Sequence, residues 1–298
     1  MRIWVKRAVL LFLCLLMGLV LFSQTLAYLA AQPPSSIIFE KDLVYAKVGG
    51  TELHLDLARP KQGKGPFPVV ICVHGGGWKA GSKDQFLQAM YSLSQQGYVA
   101  ASVQYRFAPK DRFPSQIDDV KAAVRYLRSR AKELNLNPDK IGAVGGSAGA
   151  HLSLLLGTTG PDDIKEVGDH PTLSSSVQAV VSIAGPTDLT PVFPDASEQM
   201  VRDLIGKSRK DDPDAYKKAS PIHFLNQGDA PALLIHGTKD ELVPYEQATS
   251  FIEAAKKAGV EAELFTIKDG GHGGGGKPQD WADGVTRMVR FLDNHLKK

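Results

Sequence analysis

Cysteine is nearly absent: 298 residues hold two, Cys14 and Cys72. Cys14 lies in an N-terminal apolar run without the small residues that precede a lipid-modified cysteine, so the chain does not read as a lipoprotein. With that run removed, Cys72 stands alone and no intramolecular disulfide can form, so even an oxidising compartment offers this fold no covalent staple. Cys72 sits among apolar neighbours and reads as a small buried hydrophobe. Paired-cysteine motifs and the helical histidine–carboxylate spacing of metal sites are also missing, so neither a metal nor another cofactor is implied. Charge of one sign is scarcely in excess, with 35 basic against 32 acidic residues and a net charge of +3. At 43% hydrophobic and 22% charged, the composition excludes a disordered or collagen-like chain. The 29 glycines and 18 prolines follow no period, which excludes a repeat array.

The small basic excess has a location. Arg2, Lys6 and Arg7 precede a charge-free run from Ala8 to Phe22, followed by Ser23-Gln24 and the small residues Thr25 and Ala27. A basic head, an apolar stretch and a small-x-small site describe a secretory signal peptide over residues 1–27, cut after Ala27. The alternative is an uncleaved membrane anchor, but Ser23-Gln24-Thr25 interrupts the roughly 20 apolar residues that a spanning helix needs. Cleavage would remove three basic residues and no acid, leaving a formally neutral body with no electrostatic case for nucleic acid. Residues 28–37, with Gln32-Pro33-Pro34-Ser35-Ser36, read as a linker, and 38–298 as the folded domain. The expected localisation is secreted or periplasmic, with no stable membrane association once the leader is gone.

Within the body, Leu53, Leu55 and Leu57 alternate with Glu52, His54 and Asp56, the period of a half-buried strand. The segments 67–73, 99–104, 141–144, 177–183, 232–235 and 261–267 are apolar and β-branched, as strands buried on both faces of a parallel sheet must be. Helices fill the gaps. Ser82 and Gln85 make a capping-box pattern ahead of Phe86, Leu87, Met90 and Leu93. Ile117, Val120, Val124, Leu127, Ala131 and Leu134 form one apolar stripe ending near Asn137-Pro138, and Trp281, Val285, Met288, Leu292 and Leu296 another. Strictly alternating strands and helices predict one α/β domain: a mostly parallel central sheet with helices on both faces. The polar, proline-bearing stretch 186–216 breaks the alternation and reads as a small cap insertion.

Gly145-Gly146-Ser147-Ala148-Gly149 follows an apolar strand run and precedes a helical one. A serine on such a strand-to-helix turn has its hydroxyl lifted clear, with a helix N-terminus beside it. His74-Gly75-Gly76-Gly77-Trp78 directly follows another strand run, so the N–H groups of Gly76 and Gly77, with that of Ala148, can form an oxyanion hole. No Lys-Ser or Lys-Thr follows these glycines, which argues against a phosphate loop. His74 precedes the glycines and is expected to brace the loop, while Trp78 is either a wall of the substrate pocket or a core residue. A serine nucleophile needs a base and the base an orienting acid, in the order Ser, acid, His. Among the later histidines, His272 lies in the loop after a strand, His151 is expected to be packed on the serine's own helix, and His170 and His223 flank the cap. Asp240, in the loop after the preceding strand, is the expected acid, with Glu241 as fallback and Asp188 as the acid of a rearranged layout.

With these motifs in order, together with Tyr105-Arg106-Phe107-Ala108-Pro109, Phe113-Pro114 and Asp118-Asp119, the sequence closely resembles the α/β-hydrolase esterases from Ile38 to Lys298. The hormone-sensitive-lipase-like branch has Asp before the elbow serine, where this chain has Gly146. Ser147-Ala148-Gly149-Ala150-His151-Leu152 and Gly185-Pro186-Thr187-Asp188-Leu189 look more like the bacterial carbohydrate esterases often called bifunctional feruloyl and acetyl esterases. The resemblance implies a serine esterase acting on short-chain acyl, acetyl or feruloyl esters, small or polysaccharide-linked, with Arg106 paired to Asp118 or Asp119. A short-chain lipase of the hormone-sensitive type and an amidase or formamidase would use the same triad. A prolyl-oligopeptidase-type peptidase would carry a large further domain, and a non-catalytic binding protein would not need every triad and oxyanion position filled.

Overall fold

An apolar run such as Phe67–Val73 can be a strand only if both of its faces are covered, and both are. The computed structural model describes residues 32–164 and 168–298; the leader 1–27 and the first part of the linker lie outside the described residues. In chain order the elements are β1 (Ile37–Val48), β2 (Thr51–Pro60), β3 (Phe67–Val73), a 3-10 turn (Lys83–Phe86), α1 (Leu87–Gln95), β4 (Val99–Val103), α2 (Ser115–Ser129), the one-turn α3 (Ala131–Leu134) and β5 (Leu136–Gly146). There follow α4 (Ala148–Thr158), β6 (Ala179–Ile183), α5 (Asp195–Ile205), α6 (Pro213–Lys218), a 3-10 turn (Pro221–His223), β7 (Ala232–Gly237), α7 (Glu246–Ala258), β8 (Ala262–Ile267) and α8 (Pro278–Leu296).

The sheet has eight strands in the order β1-β2-β4-β3-β5-β6-β7-β8. β2 runs antiparallel to both β1 and β4, and β3 to β8 are parallel. Along β3 the side chains divide: Val69, Ile71 and Val73 join α2, α4 and the 186–216 segment in one core, while Val70 and Cys72 join α1 and α8 in the other. Period-two alternation between two apolar layers is what makes the run continuous in sequence. Cys72 is fully buried, and that burial pushes its thiol up to about 12. The expected α/β class, with a mostly parallel sheet and helices on both faces, is the class observed.

The departures are local. β1, with its charged residues, is a strand, and its register shifts at Glu40/Leu43 and Val44/Ala46 break the alternation that would have marked it. Asp56 does not face water: it is 1% exposed, and Lys83 donates to both its oxygens at 2.8 and 2.9 Å. The Ser82 hydroxyl caps the 3-10 turn through Asp84 N–H, but Gln85 leaves the expected box and reaches the glycine loop instead. The stripe from Ile117 breaks at Arg130 and ends at Asn135, whose left-handed φ of 53° turns the chain into β5, so Asn137 and Pro138 already belong to the strand. On α8, Val285 is 53% exposed, and Phe291 fills the buried face. The insertion folds as α5 and α6 between β6 and β7.

Candidate active site

At the carboxyl end of the central strand β5, the chain turns through Ser147 (φ 53°, ψ −120°) straight into α4. A left-handed non-glycine residue costs on the order of 1–3 kcal/mol, and the surroundings hold it there. Ser147 N–H donates to Ile183 O of β6 at 2.8 Å, and His151 N–H to Ser147 O at 3.0 Å. A Cβ on Gly149 would collide with the carbonyls of Val73 and His74, so only glycine lets the first turn of α4 rest on the end of β3.

From the end of β3 the glycine loop runs beside this elbow. Gly76, Gly77 and Trp78 all have positive φ (121°, 57° and 59°), and a Cβ at Gly76 would strike the Ala80 carbonyl. Lys79 and Ala80 close the turn by donating to Gly76 O at 3.2 and 3.1 Å. Loop and elbow adjoin: a Cβ on Gly75 would lie 3.4 Å from Ser147 Cβ. His74 braces the loop as expected. It is fully buried, donates from Nδ1 to Gly75 O at 2.8 Å and stacks on Tyr105, whose hydroxyl donates to His74 O at 2.9 Å. Burial holds its imidazole below the usual histidine range. Gly75 N–H donates to Gln85 Oε1 at 3.3 Å, a second brace.

The loops after β7 and β8 bring in the remaining groups. Ser147 Oγ lies 2.8 Å from His272 Nε2, and His272 Nδ1 lies 2.8 Å from Asp240 Oδ2. An ionised carboxylate only accepts, so Nδ1 carries the hydrogen and Nε2 presents its lone pair to the hydroxyl. The His272 side chain is 21% exposed and that of Asp240 fully buried. Burial alone would raise the Asp240 carboxyl. Hydrogen bonds from His236, His272 and Val243 N–H outweigh it and hold the carboxyl well below the ordinary range. Leu242 and Val243 N–H both reach Oδ1 at 2.9 Å. His236 was not singled out by the sequence. Its Nε2 donates to Val243 O at 2.9 Å, and that N–H also lies 3.3 Å from Asp240 Oδ2.

The other sequence candidates stand elsewhere. Glu241 is exposed. Asp188 accepts from Thr190 N–H and Oγ1–H at 2.9 and 2.7 Å and lies 3.6 Å from His223. Trp78 is packed in the core, 3% exposed, rather than lining an open pocket. Arg106 pairs with Asp119, not Asp118, through Nε at 2.9 Å and Nη2 at 2.8 Å. From the cap, Met200 of α5 sits against Gly77, where a Cβ would meet its thioether. No cluster of metal-ligating side chains occurs among the described residues, nor is any described helix long and apolar enough to cross a membrane.

A strained serine at a strand-to-helix elbow, an imidazole on its hydroxyl, a carboxylate behind the imidazole and left-handed glycines alongside form an arrangement suited to attack on a carbonyl carbon. Comparison with known proteins points the same way. The sequence profile of the family described as BD-FAE matches residues 55–255. Esterase LipC of Mycobacterium tuberculosis is 34% identical over 214 residues, covering 70% of this chain and 53% of LipC. Acetylxylan esterase of Xylanibacter ruminicola is 29% identical, covering 77% of this chain and 45% of that protein. The chain thus spans about half the length of these named relatives. Among solved structures, a truncated carbohydrate esterase from gut microbiota superposes with a TM-score of 0.78 at 29% identity, covering 89% of this chain and 99% of that one.

Proposed function

The chain belongs to the BD-FAE family, and on that footing we propose that it is an exported serine carboxylesterase cleaving short-chain acyl esters, acetyl and feruloyl esters of carbohydrates among them. The observation that carries the reading is the line Ser147–His272–Asp240, with both its contacts at 2.8 Å. Ser147 Oγ attacks the ester carbonyl while His272 Nε2 takes its proton. The carbonyl oxygen becomes an oxyanion and accepts from the N–H groups of Gly76, Gly77 and Ala148. Asp240 keeps the imidazole in the required tautomer and stabilises the imidazolium that forms. As the tetrahedral intermediate collapses, His272 returns the proton to the departing alkoxide, leaving an acyl group on Ser147. Water then attacks the acyl carbon with His272 again as base, and the acid leaves as Ser147 regains its proton. The fixed dipoles of the loop and of the α4 N-terminus need no reorganisation as charge develops.

The names of the acetylxylan esterase relative and the gut carbohydrate esterase support an acetyl-type substrate. The pattern of residues 1–27 supports export. The test is hydrolysis of p-nitrophenyl esters of increasing acyl length by the wild type and Ser147→Ala. The wild type should favour the shortest chains, and the variant should lose activity by a factor of about 10⁴ or more. Equal rates for the two proteins would overturn the esterase reading. Acetylated xylan, methyl ferulate and a formyl-amide in the same assay separate the substrate classes, with faster cleavage of the formyl-amide favouring a formamidase. Mass spectrometry of exported protein should find a chain beginning at Tyr28, and an intact leader would contradict export with cleavage.

A further inference from the structure

His151 sits one turn into α4, fully buried, with both ring nitrogens engaged. Trp78 Nε1–H, from the residue after the oxyanion glycines, donates to His151 Nδ1 at 3.2 Å, and the two rings meet edge to face at 5.2 Å. On the other side, His151 Nε2 lies 2.6 Å from the carbonyl of Ala219, the C-cap residue of α6. An indole N–H only donates and a carbonyl only accepts, so Nδ1 is bare and Nε2 carries the hydrogen. One neutral tautomer satisfies both bonds, consistent with the burial that lowers this imidazole to about 4. The backbone N–H of the same residue holds Ser147 O at 3.0 Å. Trp78 itself is held in a left-handed conformation (φ 59°), a strained geometry that persists only where the surroundings enforce it.

We propose that His151 is a positioning residue of the oxyanion hole, fastening the glycine loop to the nucleophile's helix through its acceptance of the Trp78 N–H. The inference rests on the esterase reading of Ser147.

The test compares His151→Phe, which keeps the volume and deletes both bonds, with His151→Asn, whose amide oxygen can replace Nδ1 as the acceptor for Trp78. A third variant, Trp78→Phe, deletes the donor. Two rates are read: kcat and KM on p-nitrophenyl acetate, and phosphonylation of Ser147 by a p-nitrophenyl alkylphosphonate. In the second reaction Ser147 Oγ bonds to phosphorus as its proton passes to His272 Nε2, p-nitrophenolate leaves, and the phosphoryl oxygen occupies the same hole. His151→Phe should lower kcat and the phosphonylation rate together by about ten- to a hundredfold with KM within about threefold, the mark of a displaced hole. His151→Asn should return to within about fivefold of the wild type. Trp78→Phe should match His151→Phe, and the double variant should lose no more than either single one. Wild-type rates in His151→Phe, a loss confined to KM, equal impairment of the Phe and Asn variants, or multiplying losses in the double variant would each overturn the proposal. If His151→Phe does not fold, Trp78→Phe alone decides by the same kcat criterion. A wild type that cleaves no ester overturns the esterase reading instead, and the phosphonylation rates then decide this one.

Discussion

Asp240 accepts at both oxygens: two backbone N–H groups reach Oδ1, and two imidazoles lie near Oδ2. Such a carboxylate stays ionised across the whole working range and holds one tautomer of His272. Asp240→Asn would present an amide where an acceptor is needed, and kcat on p-nitrophenyl acetate should fall by about 10⁴ with the fold intact by circular dichroism. A loss under tenfold would show that Asp240 does not orient the base. Asp118 behaves in the opposite way. Burial, with the charge of Asp119 added, raises its carboxyl to about 6, and its Oδ1 has no hydrogen-bond partner among the described residues. Between about pH 4 and pH 6 the folded protein therefore keeps a proton that the unfolded chain has released, so this site loses stability as pH rises through that window. Asp118→Asn should raise the urea midpoint at pH 8 and leave it nearly unchanged at pH 4. A gain of equal size at both values would place the effect elsewhere.

Elements here are held by side chains that lie far apart in the sequence. The 3-10 turn that follows the glycine loop is pinned to β2 by Lys83, 6% exposed, on Asp56. Lys83→Ala would leave that carboxylate buried and unpaired, at a cost of about 3–5 kcal/mol read by urea unfolding at pH 7. An unchanged midpoint would show that the Lys83–Asp56 pair does not hold the turn to β2. This contact also marks where sequence reasoning stops. Strands β3 to β7 are legible because an apolar run with two covered faces needs no knowledge of its partners. Ser147, Asp240 and His272 are legible as positions because each sits in the loop after such a run. Asp56 is not, since alternation marks it as polar without saying that a lysine from another element covers it. The same holds for the polar side of α2: Lys121 and Arg125 are fully buried, with Lys121 Nζ donating to Gly160 O and Arg125 Nε to Asp169 O at 3.2 Å each. Gln85 and His236 gain their places at the site only through the tertiary fold. Gln85 fits a capping box equally well in sequence, and His236 reads as one more residue at a strand end.

Across the whole molecule the site is laid over adjacent strands. The glycines proposed for the oxyanion hole follow β3, Ser147 follows β5, β6 holds the Ser147 N–H through Ile183 O, and the proposed acid and base, Asp240 and His272, follow β7 and β8. In the chain the groups separate cleanly: the proposed nucleophile and oxyanion hole lie before β6, and the proposed acid and base lie after β7. Between them runs the exposed turn Asn226-Gln227-Gly228, a surface stretch of the kind that tolerates interruption. Severed between Gln227 and Gly228, the protein should yield two pieces that are each inert toward p-nitrophenyl acetate and that recover turnover when brought together by fused dimerising tags. Turnover by either piece alone would contradict this division of labour. The seam between β6 and β7 is thus a logical AND gate, and colour release from a chromogenic ester would report that two molecules have met.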